Sequence, residues 1–172
     1  ATNVKRLMEF LDENVDNGFP KESNRIITSG EALAKIKDNE SLSNHNFTIN
    51  EPETLEKIRN IPPGGYYEDL PDSLKTKKIR NGKEVIVKRY GSYYRRLHPD
   101  EPSRTITNNY VIHPIKDRYL SNREMAILHS FPKQYKFKGN MGSVSQQIAN
   151  AVPPKFAEKM AKRVQFLLDN YC

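Results

Sequence analysis

The chain has 172 residues, with 28 Lys and Arg against 21 Asp and Glu for a net charge of +7, and a single cysteine, Cys172, at its last position. That length suits one domain with room for a small second lobe, and it buries roughly 70% of the surface that the unfolded chain exposes. One terminal cysteine excludes an intramolecular disulfide and a cysteine-built zinc site, while 36% hydrophobic residues in short runs exclude a membrane-spanning helix.

The first ten residues, ATNVKRLMEF, have no apolar core ahead of a small-residue cleavage site. They are not a signal peptide, and a soluble cytoplasmic protein is expected. Val4, Leu7, Met8 and Leu11 recur at helical spacing and predict a short amphipathic helix ending near Asn17-Gly18. From Pro20 to Asn50 the chain is rich in Ser, Asn and charge and reads mostly as loop, with one helix predicted over Glu31 to Lys37. Glu53 to Arg59 predicts a brief helix that stops before Ile61-Pro62-Pro63-Gly64-Gly65, where the prolines deny amide donors and the glycines permit a tight turn.

Charge is unevenly spread: residues 1–60 carry a net −3 and residues 61–172 a net +10. It is densest from Lys75 to Arg96, where nine cations face one acid, Glu84. Such a tract attracts a polyanion, nucleic acid above all, although a solvated basic surface explains the charge alone equally well. Within it, Asn81-Gly82 sits between the β-prone runs Lys77 to Arg80 and Lys83 to Val87, which predicts a hairpin with a two-residue type I′ turn. Tyr90, Tyr93 and Tyr94 then lie among Arg89, Arg95 and Arg96, a mixture suited to base stacking and phosphate contact, or to half-buried packing. A second β-prone run spans Thr105 to Ile112.

The last third is helical. Ser121-Asn122-Arg123-Glu124 has the Ser-x-x-Glu form of a capping box, opening a helix that ends at Phe131-Pro132. Another helix start is expected near Ser143, broken by Pro153-Pro154, and a final helix presents Phe156, Ala157, Met160, Ala161, Val164, Leu167 and Leu168 on one apolar face. His45, His98, His113 and His129 are scattered without short ligand spacings, so no metal site is expected.

Four segments in order carry a resemblance: IRNIPPGGYYEDL (58–70), YGSYYRRLHPDEPSRTIT (90–107), HPIKDRYLSNREMAILHSFPKQYKF (113–137) and QQIANAVPP (146–154). Together they closely resemble the C-terminal part of bacterial DNA (cytosine-5)-methyltransferases. The family motif R-x-L-x-x-R-E-x-A-x-L-x-x-F-P is matched by Arg118 to Pro132, and Q-I-G-N-A-V-P-P by Gln147 to Pro154 with Ala149 in place of Gly.

The resemblance implies an α+β chain. An irregular small-sheet target recognition lobe with a β-hairpin would be joined to C-terminal helices that complete an α/β S-adenosylmethionine-dependent methyltransferase domain. The expected segments are an N-terminal helix and linker over 1–41, the recognition region over 42–112 and the helical completion over 113–172. In that family a cysteine thiolate adds to C6 of a cytosine turned out of duplex DNA, and C5 then takes the methyl group.

No credible match to the family's Gly-rich cofactor loop, Pro-Cys nucleophile or Gln-x-Arg-x-Arg segment occurs in this sequence. Glu13-Asn14-Val15 spells a family tripeptide, but it ends a polar helix and reads as coincidence. Cys172 follows Tyr171 rather than Pro and reads as a bystander. The chain alone is therefore expected to be inactive, with a catalytic half on the same polypeptide or on a separate subunit.

The resemblance places DNA contacts on Lys78, Arg80, Lys83, Lys88, Arg89, Tyr93, Tyr94, Arg95, Arg96, Thr105 and Ile106. It places cofactor contacts on Asn150, Ala151 and Val152, and structural roles on Arg118, Arg123, Glu124, Phe131, Pro132 and Gln147, with Arg123 in a structural pair. A different reading, a stand-alone non-catalytic DNA-binding module, would bury the apolar face of the final helix within the chain.

Overall fold

A computed structural model describes residues 2–13, 18–21, 23–87, 94–106 and 110–171. Its helices are α1 (Thr2–Glu13), α2 (Ser29–Leu33), α3 (Pro52–Arg59), α4 (Asn122–Leu128), α5 (Met141–Asn150) and α6 (Pro154–Tyr171). Its strands are β1 (Lys77–Arg80), β2 (Lys83–Ile86), β3 (Arg95–Arg96) and β4 (Val111–Ile112), and the architecture is α+β. The described residues divide into two compact units, one formed by the chain up to Ile26 together with Val152 onward, the other by Ile27–Ala151. In the first unit α1 packs on α6 from the far end of the chain.

In the first unit, Phe10 of α1 stacks on Tyr171 of α6 at 4.5 Å, and the Arg163 guanidinium lies over the Phe10 and Phe166 rings. Leu167 is buried, but Phe156, Val164 and Leu168 remain about half exposed at 50%, 49% and 49%. The apolar face legible in the sequence is thus only partly covered.

The larger unit has two buried clusters. Leu33, Leu97, Ile106, Val111, Leu120, Met125, Ala126, Val144 and Ile148 form one; Ile58, Ile61, Tyr67, Leu70, Ile112 and Tyr119 form the other. Val111 and Ile112 are adjacent in β4 and feed opposite clusters, as the alternation of a strand requires. β4 pairs in parallel with β3, Arg95 against Val111 and Arg96 against Ile112. The expected strand over 105–112 is correspondingly short: 107–109 lie outside the described residues, and Thr105 and Ile106 form no regular strand.

Local signals explain most boundaries. β1 and β2 pair antiparallel with Arg80 opposite Lys83, and the turn places Asn81 at φ 52° and Gly82 at φ 73°, the left-handed pair a type I′ turn needs. The capping box forms as expected: Ser121 Oγ accepts from the Glu124 amide, and the Glu124 carboxylate accepts from the Ser121 amide. α5 starts two residues earlier than Ser143, because the Asn140 side chain accepts from the Ser143 amide and caps the helix. α2 likewise begins before Glu31, capped by Thr28, and ends at Leu33 rather than Lys37.

The amides of Ser29 and Gly30 donate to the carbonyls of Glu101 and Pro99, pinning α2 to the 99–101 loop. A Cβ at Gly30 would sit 2.8 Å from the Pro99 oxygen, inside normal contact. Gly30→Ala should therefore cost about 1–3 kcal/mol, read as a lowered denaturant midpoint, since a backbone oxygen cannot swing aside.

Candidate functional site

The hairpin has two chemically different faces. Cross-strand pairing puts Lys78, Arg80, Lys83 and Val85 on one side and Lys77, Ile79, Glu84 and Ile86 on the other. The first carries three exposed cations and no acid. On the second, Lys77 Nζ lies 3.3 Å from Glu84, which cancels the charge, and Ile86 lines a cavity of about 280 Å³ with Tyr67, Glu68 and Lys75. Lys88, Arg89 and Tyr93 lie outside the described residues.

Beyond the hairpin the expected DNA-contact residues part company. Arg96 is only 5% exposed; its guanidinium donates to the Ile58 and His113 carbonyls and to Asp117 at 2.9 Å. Ile106 sits in the first buried cluster. Of the expected DNA contacts, these two have side chains enclosed by the unit's own core. Tyr94, at φ 54°, packs its ring between Tyr67 and Tyr119 in the second cluster. Thr105 is exposed, and Arg95 is half-buried.

The motif Arg118 to Pro132 builds a charged core around α4. Glu124, 1% exposed, accepts a two-pronged pair of bonds from Arg118, both at 2.8 Å, and a third from the Ser121 amide. Burial works against its ionisation, but Arg118 and the Ser121 amide outweigh burial and hold the carboxyl below its usual range. Arg118 also pairs with Asp38 at 2.6 Å and lies 4.0 Å from the centre of the Phe47 ring. Asp38 takes Lys116 at 2.7 Å as well, and these two cations hold its carboxyl low despite partial burial.

Arg123 is engaged within the fold by hydrogen bonds rather than by a carboxylate. It is fully buried and donates to backbone and hydroxyl oxygens instead: Ser43 O at 3.0 Å, Ser43 Oγ at 2.8 Å, Pro132 O at 3.4 Å and Tyr135 O. Its own amide donates to Asn44 O. One side chain therefore ties α4 to Ser43 and to the 132–135 loop, while half-buried Phe131 packs against the first cluster. Asp38, Ser43 and Asn44 were not singled out from sequence, since each meets its partner from about 80 residues away and no local spacing announces it.

Gln147 donates to the Lys138 carbonyl and Ser143 Oγ, bracing the start of α5. Asn150 is exposed and accepts from Gln146 at 2.8 Å, Ala151 caps α5, and Val152 is 61% exposed. Ala149 lies within α5, where alanine is the best helix former, so the departure from Gly is locally favourable.

Three of the four histidines have hydrogen-bond partners within the fold. His45 meets Ser121 Oγ at 2.8 Å, His98 Nδ1 accepts from the Asp100 amide, and His113 Nδ1 accepts from the Ile115 and Lys116 amides. Among the described residues no group of three or more His, Cys, Asp or Glu could hold a metal ion. None of the described helices is long and apolar enough to cross a membrane.

With this architecture in place, comparison with known proteins identifies the class. The model of the C-5 cytosine-specific DNA methylase family matches residues 3–165, and the chain belongs to that family. It is 38% identical over 152 residues to the type II methyltransferase M.BbvI of Brevibacillus brevis, an alignment spanning 84% of this chain and 38% of that protein. Against M.Eco47II of Escherichia coli the identity is 33%, spanning 92% of this chain and 40% of the relative. The type II methyltransferase M.AquIB of Picosynechococcus is 39% identical over 146 residues, which cover 76% of this chain and 94% of M.AquIB. The chain thus spans about two fifths of the first two relatives and nearly all of the third. A solved structure described as a prophage-encoded DNA modification methyltransferase of E. coli shares the fold at TM-score 0.56 and 21% identity, over 88% of this chain and 40% of that one.

Two expectations follow for stability. Arg96→Ala should destabilise by about 2–3 kcal/mol, because it removes charged hydrogen bonds to buried carbonyls, whereas Lys78→Ala should change stability by less than about 0.5 kcal/mol. Burial pushes His113 from 6.5 down to about 4, and His129 is shifted the same way. The unfolded chain then binds more protons below pH 6.5, so stability is full above that pH and declines as pH falls toward 4. Urea midpoints measured from pH 7.5 to 4.5 should fall for the parent chain and fall less steeply for His113→Asn.

Proposed function

We propose that this chain is the DNA-recognition and fold-completing C-terminal part of a DNA (cytosine-5)-methyltransferase from a restriction–modification or prophage system. The whole enzyme would transfer methyl from S-adenosylmethionine to cytosine C5 in duplex DNA, with the nucleophilic cysteine in a catalytic half on the same polypeptide or on a separate subunit. The observation that carries the reading is the acid-free cationic face of the hairpin, Lys78, Arg80 and Lys83, on a chain of this family. Exposed lysines and arginines without carboxylate neighbours suit phosphate contacts, which give affinity and orient a protein on the duplex.

Three further observations support it. M.AquIB, a type II methyltransferase, is matched over almost its whole length, so a relative of comparable extent exists. Both closing motifs are built into the fold by hydrogen bonds rather than left as loose charge. The half-exposed Phe156, Val164 and Leu168 on α6 suit burial against further protein, which weighs against a self-sufficient binding module.

For the cofactor, exposed Val152 offers an apolar wall and Asn150 an exposed amide, residue types that fit the methionine end of S-adenosylmethionine. The cofactor supplies the transferred methyl group. Asn150, Ala151 and Val152 would help bind and orient it, and the remaining pocket would come from the catalytic half. Cys172, outside the described residues, has no part in this reading.

The test is transfer of labelled methyl from S-adenosylmethionine to duplex DNA. This chain alone should give none, and mixing it with a front-half polypeptide carrying the Pro-Cys motif should give transfer. Methylation by this chain alone overturns the reading, as does a chain that neither binds duplex DNA nor restores transfer.

A further inference from the structure

We propose that the hairpin of β1 and β2 is a flap, hinged at Thr76 and Val87, that closes onto Tyr67 when duplex DNA occupies its cationic face; this rests on the DNA-recognition reading above. The hairpin stands apart from the core it springs from. Among the described residues its strands pair only with each other, none of their side chains is buried, and neither buried cluster draws on them. Two hydrogen bonds mark its base: the Thr76 amide donates to the Tyr67 hydroxyl at 2.6 Å, and the Val87 amide donates to the Thr76 carbonyl at 2.8 Å.

The gap beneath the hairpin is larger than packing leaves. Ile86 faces Tyr67, Glu68 and Lys75 across a cavity of about 280 Å³. That is roughly the share of nine waters in the liquid, whereas folded interiors hold few voids larger than one. The floor of the cavity is fixed. Tyr67 is 2% exposed within the second cluster, and Lys75 is held by Asp72 at 2.9 Å. The roof is not. Ile79 shares the inner face with Ile86 and is 78% exposed, so two apolar side chains stand before unfilled space and an aromatic wall. Lys77 and Glu84 neutralise each other on the same face, and moving it inward therefore carries no net charge.

The two faces couple closure to binding. Lys78, Arg80 and Lys83 stand on the face turned away from the cavity, so a duplex resting on them holds the hairpin between itself and the core. Closure fills the cavity, gains dispersion contacts and removes Ile79 and Ile86 from water, at the cost of the hairpin's freedom. A duplex shifts that balance only by favouring the closed form. It does so because three cations on a fixed support follow a phosphate backbone with less ordering left to do than three on a free ribbon.

The test is methyl NMR on the full chain with isoleucine δ1 methyls labelled, recorded with and without duplex DNA. On adding duplex, the Ile79 and Ile86 methyls should gain Overhauser contacts to the Tyr67 ring. Ile79→Ser, matched to the parent by thermal melt, should weaken duplex binding by about 3- to 20-fold with the salt exponent unchanged, because it removes apolar burial and no charge. Lys78→Ala should instead lower that exponent by about 0.9. Methyls that keep their free-state contacts in the bound chain overturn the inference. So does an Ile79 methyl in contact with DNA protons, and so does full affinity in Ile79→Ser. Each of these results leaves DNA recognition by the chain standing; failure of the parent chain to bind duplex DNA removes both readings.

Discussion

The buried carboxylate of Glu124 is the fixed point of the larger unit. An ionised group almost wholly withdrawn from water is tolerable only when its lone pairs are filled, and Arg118 and the Ser121 amide fill them. Arg118 passes the constraint on to Asp38, and Asp38 to Lys116, so segments 80 residues apart are drawn to one place. His113 borders the same carboxylate at 3.9 Å and is held neutral by burial, which leaves Arg118 as its charged partner. The residue before Glu124, Arg123, uses the helix so anchored to collect the carbonyls of Ser43, Pro132 and Tyr135. Removing either end of the Arg118–Glu124 pair would strand a charge in the interior, which is far more damaging than losing one surface contact.

The net +7 is therefore not a uniform coat of charge. Part of it works inside: Arg96, Arg118 and Arg123 serve as multi-pronged hydrogen-bond hubs whose guanidinium geometry lysine could not reproduce. Part lies outside, on one face of a hairpin whose other face is neutralised by Lys77 and Glu84. Consecutive strand residues, Arg95 and Arg96, stand on opposite faces of β3, Arg95 paired with Val111 of the first cluster and Arg96 with Ile112 of the second.

Local chemistry was the most legible layer of the sequence. Asn81-Gly82 encoded its turn, Ser121 and Glu124 their capping box, and Pro153-Pro154 the break before α6, because each depends on residues within four positions of one another. Family membership was legible for a related reason, since ordered motifs survive in the linear text. Helix starts were displaced where an unremarked cap, Thr28 or Asn140, lay just upstream. The candidate site was legible in composition but not in assignment: Arg96 and Ile106 were expected at DNA and lie in the core.

What the sequence by itself determined is the family, the α+β mixture of elements and the concentration of positive charge between Lys75 and Arg96. Only the tertiary structure decided which of those charges face outward. Spacing reports the side of a strand on which a side chain stands, but not what covers that side. Cover comes from groups such as Ile58, Asp117 and Tyr119, distant in sequence from the arginines and tyrosines they enclose, and burial with them turns a cation from a DNA contact into a structural support.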